Sequence, residues 1–340
     1  MFFKEKTGRY YIFTIIFAFL VGALFLLNLS LGSVPVPLKE VYRVVLHQPV
    51  DNTTFQAVIW KIRLPRSLAT LFGGAALATG GLLLQIFFRN PIVGPYVLGI
   101  SSGATLLVAL VMLTSLSVGL TLHPFALSMA AFLGALLVMI LVLAVANRVR
   151  NVVTLLVVGL MMGYLCSAVS SILIALAEKE KVHGFVLWTL GSFSGFTWDE
   201  LVVLMGLSGP LLLCSLLLCK PLNAFLLGED YARSMGVNIR CFRVAIVMLA
   251  SALAGLVTAF AGPVAFIGLA VPHMARLSLG TSDNRALLPA TILLGATVAS
   301  LCDLVARMAL SPVELPISAI TSFFGAPIVI GLLLKRRTAL

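Results

Sequence analysis

Residues 152–176 read VVTLLVVGLMMGYLCSAVSSILIAL, a run with no charged side chain. About 20 apolar residues in a helix cross the roughly 30 Å of hydrocarbon in a bilayer, so this run is long enough to span. It is one of ten such runs. The others lie at about 10–31, 66–88, 92–114, 122–146, 200–219, 242–262, 264–280, 287–308 and 314–334. They are continuous and rich in Leu, Ala and Val, whereas spanning strands would alternate in polarity, so the runs predict helices. The run at 264–280 is short and contains Pro272 and His273. The expectation is an all-α polytopic membrane protein of about ten transmembrane helices in a single domain, residues 1–340.

Composition agrees. Hydrophobic residues make up 61% of 340 positions and charged residues 10%, with a mean hydropathy of +1.13. Too few polar groups exist to cover a water-facing surface. The formal charge of +11 is spread over short loops and not gathered in a basic stripe with interleaved aromatics, which argues against a nucleic-acid partner. Cys166, Cys214, Cys219, Cys241 and Cys302 lie in or beside apolar runs without CxxC spacing, as small buried hydrophobes do. The first run, preceded by Lys4, Lys6 and Arg9, resembles a signal peptide. It lacks a small-residue cleavage site, so it is expected to stay as the first helix.

Charge also predicts orientation. With the N-terminus inside, the cytoplasmic segments hold fifteen of the 23 basic residues, including Arg89, Arg148, Arg150, Lys220, Arg233, Arg240, Arg243, Arg276 and Arg285. They hold four of the 12 acidic ones: Glu5, Glu229, Asp230 and Asp283. That asymmetry over short loops predicts ten spans with both termini cytoplasmic. Residues 32–65 and 177–199 are too polar to span and are expected outside, the second as a short surface helix. The order Arg66…Ala76-Leu77-Ala78…Gly80…Pro91…Leu98-Gly99 has an echo in Arg243…Ala252-Leu253-Ala254-Gly255…Pro263…Ile267-Gly268. Its two copies start on opposite sides, as an inverted repeat requires.

Signals of catalysis are absent. No GxxxxGK[ST] loop is present, and His47, His123, His183 and His273 are scattered, without metal-ligand spacing. The only carboxylate in the interior of a span is Asp303, near that span's outer end, with Arg307 four residues on along the same helical face. An ion-coupled carrier places a carboxylate near the midplane, so the energy source is expected in a partner. Residues 220–241 contain Gly228-Glu229-Asp230-Tyr231-Ala232-Arg233-Ser234-Met235-Gly236, too polar for lipid and read as a short helix ended by Gly236. It is either a solvated loop or a docking surface for a soluble subunit. The glycines and prolines within spans (Gly73-Gly74, Gly80-Gly81, Gly262-Pro263, Gly325-Ala326-Pro327) fit close helix packing.

Several stretches in order resemble one family. Ile62-Arg63-Leu64-Pro65-Arg66, Gly73-Gly74-Ala75-Ala76-Leu77-Ala78, Arg89-Asn90-Pro91…Pro95…Leu98-Gly99…Ser102-Gly103-Ala104, Gly228 to Gly236, Gly262-Pro263…Phe266-Ile267-Gly268-Leu269…Pro272-His273…Arg276 and Gly325-Ala326-Pro327 are similar to the permease subunits of ABC importers for iron–siderophores, haem and vitamin B12. The match covers nearly the whole chain. The resemblance implies the type II ABC importer permease architecture: a homodimer of ten-helix subunits with an inverted-repeat core and the pathway on the dimer axis. Two cytoplasmic P-loop ATPases, which carry ATP and Mg, would dock on one side, and one periplasmic or lipid-anchored binding protein on the other. It further implies that Gly228, Glu229, Asp230, Tyr231, Ala232, Arg233 and Gly236 form the ATPase-coupling helix. Arg63, Arg66 and Arg307 would meet glutamates of the binding protein, the alternative being headgroup or intrachain pairing. Asn90, Ile92, Val152 and Val153 would narrow the cytoplasmic mouth. No cofactor or metal is expected on this chain, which is expected not to be an enzyme. The choice among iron–siderophore, haem and cobalamin-type chelates stays open. So do an oxyanion (molybdate-type) importer on the same scaffold and an ion-coupled secondary transporter.

Overall fold

The computed structural model describes residues 2–48, 52–114, 124–146 and 152–337. Arg148, Arg150 and His123 lie outside the described residues, as does the start of the run at 122–146.

The described chain is helical. In order it contains α1 (Phe2–Ser30), α2 (Leu38–Val45), α3 (Thr53–Ala57), α4 (Leu64–Phe87), α5 (Ile100–Leu113), α6 (Pro124–Ala146), α7 (Val152–Leu176), α8 (Lys179–Thr189), α9 (Trp198–Leu217), α10 (Cys219–Leu227), α11 (Glu229–Ser234), α12 (Ile239–Ala261), α13 (Ile267–Leu279), α14 (Asn284–Met308) and α15 (Ile317–Arg337). Each of the ten apolar runs holds one helix. Among the described residues, seven are long and apolar enough to cross a membrane, while Ile100–Leu113 and Ile317–Gly331 are shorter apolar helices.

The differences in length have local causes. The run at 92–114 becomes helical as α5 only at Ile100, because Pro95 opens a 3₁₀ turn (Pro95–Leu98) and Gly99 then adopts φ +72°. After Gly262-Pro263, with Gly262 at φ +69°, α13 begins only at Ile267. The order of long helix, proline break and short helix therefore occurs twice, in α4–α5 and α12–α13, where the sequence shows its repeat. In the other direction, residues 53–63 are helical and not a loop. They run through a π-helical turn (Val58–Arg63) straight into α4. Ile59 is fully buried there, and the rings of Trp60 and Trp198 pack at a tilt of 33° with centroids 5.6 Å apart.

Helix α4 is the axis of the fold, buried along nearly its whole length and packed by α14, α12, α13 and α9. Its glycines permit this. A Cβ on Gly81 would lie 1.7 Å from the carbonyl oxygen of Gly268 in α13. One on Gly74 would lie 2.4 Å from the carbonyl oxygen of Gly295 and 2.3 Å from Cβ of Ala299, both in α14. Lipid tails are as apolar as leucine, so helices associate here through close backbone packing and not through escape from water. Helix α7 is the opposite case. It packs mainly on α5, α6 and the 3₁₀ turn and exposes Val157, Leu160, Tyr164, Leu165, Ile172 and Leu176.

The packing predicts a matched pair of outcomes. Gly81→Ala forces α4 away from α13 and should destabilise the protein by at least the roughly 1–3 kcal/mol of an overpacked core, read as a lowered Tm of the purified protein. Gly22→Ala, at a site with nothing within 4 Å, should leave Tm unchanged.

Candidate functional site

The polar side chains gather at two ends of this apolar body. At the first end, Arg66 lies in the opening turn of α4, where Pro65 starts the helix without needing an N–H partner. Its Nε and Nη2 donate to the Asp303 carboxylate at 2.9–3.1 Å, and its Nη1 donates to both oxygens of Glu314 at 2.8 and 3.0 Å. One guanidinium thus joins α4, α14 and the segment before α15. Arg66 and Asp303 are 5% and 1% exposed, so the pair is held out of water.

Arg63 donates to the carbonyls of Leu29 (2.7 Å) and Ser30 (2.9 Å) and to that of Val34. It therefore caps the C-terminus of α1, where carbonyls lack partners and the helix dipole favours a cation. Arg307 donates to the backbone and side-chain oxygens of Asn28, and its Nε lies 3.7 Å from Asp303. The structure thus brings Arg63, Arg66 and Arg307 together around one recess of about 330 Å³. It also changes their description: each is held within the chain, and the main partner of Asp303 is Arg66 and not Arg307. Glu314 and Asn28 were not singled out in the sequence. Glu314 opens the run read at 314–334 and is the only acidic residue in it, and that signal was available.

At the other end, the stretch Gly228–Gly236, read as a short helix ended by Gly236, is α11, and a second helix, α10, precedes it in the same segment. Helix α10 ends at Gly228 (φ +136°), and α11 follows at once and is terminated near Gly236 (φ +85°). Left-handed backbone of this kind costs glycine nothing. Within α11, Ala232 is fully buried, while Asp230, Tyr231 and Arg233 are exposed. Glu229 turns back and accepts from Arg243 of α12 at 2.8 and 3.1 Å, with Arg233 3.7 Å away. The helix is therefore bolted by one side and presents the other.

Helix α10 is fastened by residues the sequence did not single out. Asn223 donates to Asp283 at 2.6 Å, and its oxygen accepts from the backbone and side-chain nitrogens of Asn284, both at 2.8 Å. Phe225 packs on Phe87 and Phe242, and Arg89 caps it, lying 5.1 Å over the ring and donating to the Phe225 carbonyl at 3.2 Å. The α10–α11 bracket is thereby tied to α4, α12 and α14. Between Arg89 and Arg276 lies a recess of about 280 Å³.

Of the residues expected to narrow a mouth, Asn90 accepts from the N–H of Ile92 at 3.0 Å and fixes the turn after α4. Ile92 and Val153 are exposed. Val152 begins α7, and its side chain lies outside the described residues. Among the described residues, no group of three or more His, Cys, Asp or Glu is placed to hold a metal ion.

A family model described as the FecCD transport family matches residues 16–335. The chain belongs to that family. The vitamin B12 import system permease protein BtuC of Klebsiella pneumoniae subsp. pneumoniae is 38% identical over 282 residues, covering 83% of this chain and 84% of that one. The protein of the same description from Escherichia coli O157:H7 is 39% identical over 277 residues, covering 82% and 83%. Among solved structures, a transporter described as metal-chelate-type ABC, in an inward-facing conformation, superposes with a TM-score of 0.83 at 30% identity. It covers 95% of this chain and 98% of its own. The fold is thus that of a type II ABC importer permease, as the FecCD-type motifs implied, and the chain is a transport subunit built as a multi-pass membrane protein.

The buried ion pair predicts an asymmetric mutational response. Arg66→Ala leaves Asp303 buried without its main counter-charge and should cost about 3–5 kcal/mol. The double change Arg66→Gln with Asp303→Asn, which keeps a neutral hydrogen-bonding pair, should recover most of that loss in the thermal unfolding of the purified protein.

Proposed function

We propose that this chain is the permease half of a binding-protein-dependent ABC importer that brings a metal chelate into the cytoplasm, in the iron–siderophore, haem or cobalamin class. It would act as a homodimer, with two cytoplasmic P-loop ATPases on the α10–α11 side and one extracytoplasmic binding protein on the Arg66 side. Both termini would be cytoplasmic. The observation that carries this reading is the α10–α11 bracket, two short helices fastened to the core on one side, with the polar face of α11 open on the other. A segment that must receive force from a soluble motor needs an exposed face to seat and rigid attachments to transmit it. Tyr231, Asp230 and Arg233 supply the first, and Glu229–Arg243, Asn223–Asp283 and Arg89–Phe225 supply the second.

Family membership and the vitamin B12 permeases among the relatives support the substrate class. The pairing of Asp303 with Arg66 argues against an ion-coupled carrier, because a carboxylate held by a buried guanidinium is poorly placed to bind and release a coupling ion. ATP and Mg would belong to the partner ATPase. Closure of the two ATPases would move the bracket, and the motion would switch which end of the axial pathway is open. The turn at Asn90–Ile92 and the start of α7 at Val152–Val153 would form its cytoplasmic constriction. On the opposite side, the recess around Arg63, Arg66 and Arg307 would receive acidic side chains of the binding protein, since planar guanidinium groups suit carboxylates.

Proteoliposomes holding the permease, its ATPase and the loaded binding protein should accumulate the chelate only when ATP is present. Uptake that proceeds without ATP or without the ATPase would overturn the reading. Reversing the exposed charges with Asp230→Lys and Arg233→Glu should abolish co-purification of the ATPase while leaving the Tm of the permease near wild type, because neither side chain is buried.

A further inference from the structure

We infer that Glu314 is an internal stand-in for a partner's carboxylate, holding Arg66 while the recess is empty and giving way when an acidic side chain of the binding protein enters. The inference rests on the docking role proposed for this end of the molecule.

The contacts around the recess differ in how easily they exchange. Arg63 is committed to the carbonyls that end α1, and Arg307 to Asn28. Asp303 has a side chain only 2% exposed and accepts from both the Nε and Nη2 of Arg66. Each of these would leave a buried donor or acceptor without a partner if it opened. The link from Arg66 Nη1 to Glu314 is different, because the Glu314 side chain is 43% exposed and meets water as soon as it rotates.

The position of Glu314 also allows movement. It lies between α14 and α15, just after the turn that pairs Leu310 with Val313, so its side chain can leave without unwinding a helix. The next residue remains anchored, since the N–H of Leu315 donates to the carbonyl of Ala306 at 2.9 Å. The recess itself, walled by Gly32, Val34 and Ile62, has room for a side-chain carboxylate. Three guanidiniums face two carboxylates around it, so the cluster is net positive even with Glu314 in place. When one carboxylate replaces another, Arg66 keeps a second anionic partner throughout. Neither the free nor the docked state then holds a half-paired buried charge.

A resident competitor lowers apparent affinity by the fraction of time it occupies the site. The test is the Kd of the extracytoplasmic binding protein of the same transporter for the nanodisc-embedded permease–ATPase complex, measured by interferometry. Glu314→Gln removes the competing charge and keeps the side-chain shape, and it should bind about 2–5-fold more tightly, as expected for loss of one partly exposed ion pair. Glu314→Asp keeps the charge with a shorter reach and should lie between wild type and Glu314→Gln, which keeps the test decisive should Glu314→Gln fail to assemble. The Arg66→Gln/Asp303→Asn double variant should weaken binding. Unchanged or weaker binding in the Glu314 variants, with weakened binding in the double variant, would make Glu314 a fixed brace and overturn the inference alone. Unchanged binding in the double variant would overturn the docking role as well.

Discussion

Helix α4 lies closer to α13 and α14 than a β-carbon at its glycines would permit. Where Gly81 meets the carbonyl of Gly268 and Gly74 meets that of Gly295, two helices touch backbone to backbone. In water, a core of this size is held by the gain from removing apolar surface. Between lipid tails that gain is absent, and helices stay together through dispersion contacts that need near-perfect fit. Small residues on α4 give that fit on several sides at once, which is why a 24-residue helix with four glycines is also the most enclosed element of the fold.

A rigid α4–α14 pair carries polar fastenings at both ends. At one end Arg66 joins α4 to Asp303 of α14 and to Glu314. At the other, Arg89 holds Phe225 of α10, and Asn223 of α10 holds Asp283 and Asn284 at the start of α14. The two helices thus connect the arginine recess to the α10–α11 bracket through an interior with few side chains able to yield. Helix α7, with its broad exposed apolar surface, is far less enclosed.

Much of the fold was legible in the chain, because a helix in a bilayer must be apolar for about 20 residues and its ends collect charge by a simple rule. The ten helices fall where the apolar runs do. The proline and glycine breaks that shorten α5 and α13 were visible as residues, but their effect on length was not. Residues 53–63 looked too polar to be part of a long helix. Folded, they are tied down by Trp198, 138 residues on, whose ring packs on Trp60 and whose N–H donates to its carbonyl, and by Val44, whose carbonyl accepts from the Trp60 ring N–H. The coupling segment stood out because Glu229, Asp230 and Arg233 are out of place among apolar runs, whereas Asn223, a single amide, gave no such signal.

A helical membrane protein, the places of its apolar helices, its family and the concentration of its charges in a few short segments can all be read along the chain. Those properties follow from local composition and order, which a linear chain displays in full. What the charges do depends on the fold. Arg63, Arg66 and Arg307 read alike in one dimension, as basic residues near the ends of apolar runs. Folded, one caps α1, one joins Asp303 to Glu314, and one rests on Asn28. Partners 237 and 248 residues away along the chain make that difference. A buried charge takes its role from whatever the packing of distant helices places within about 3 Å of it.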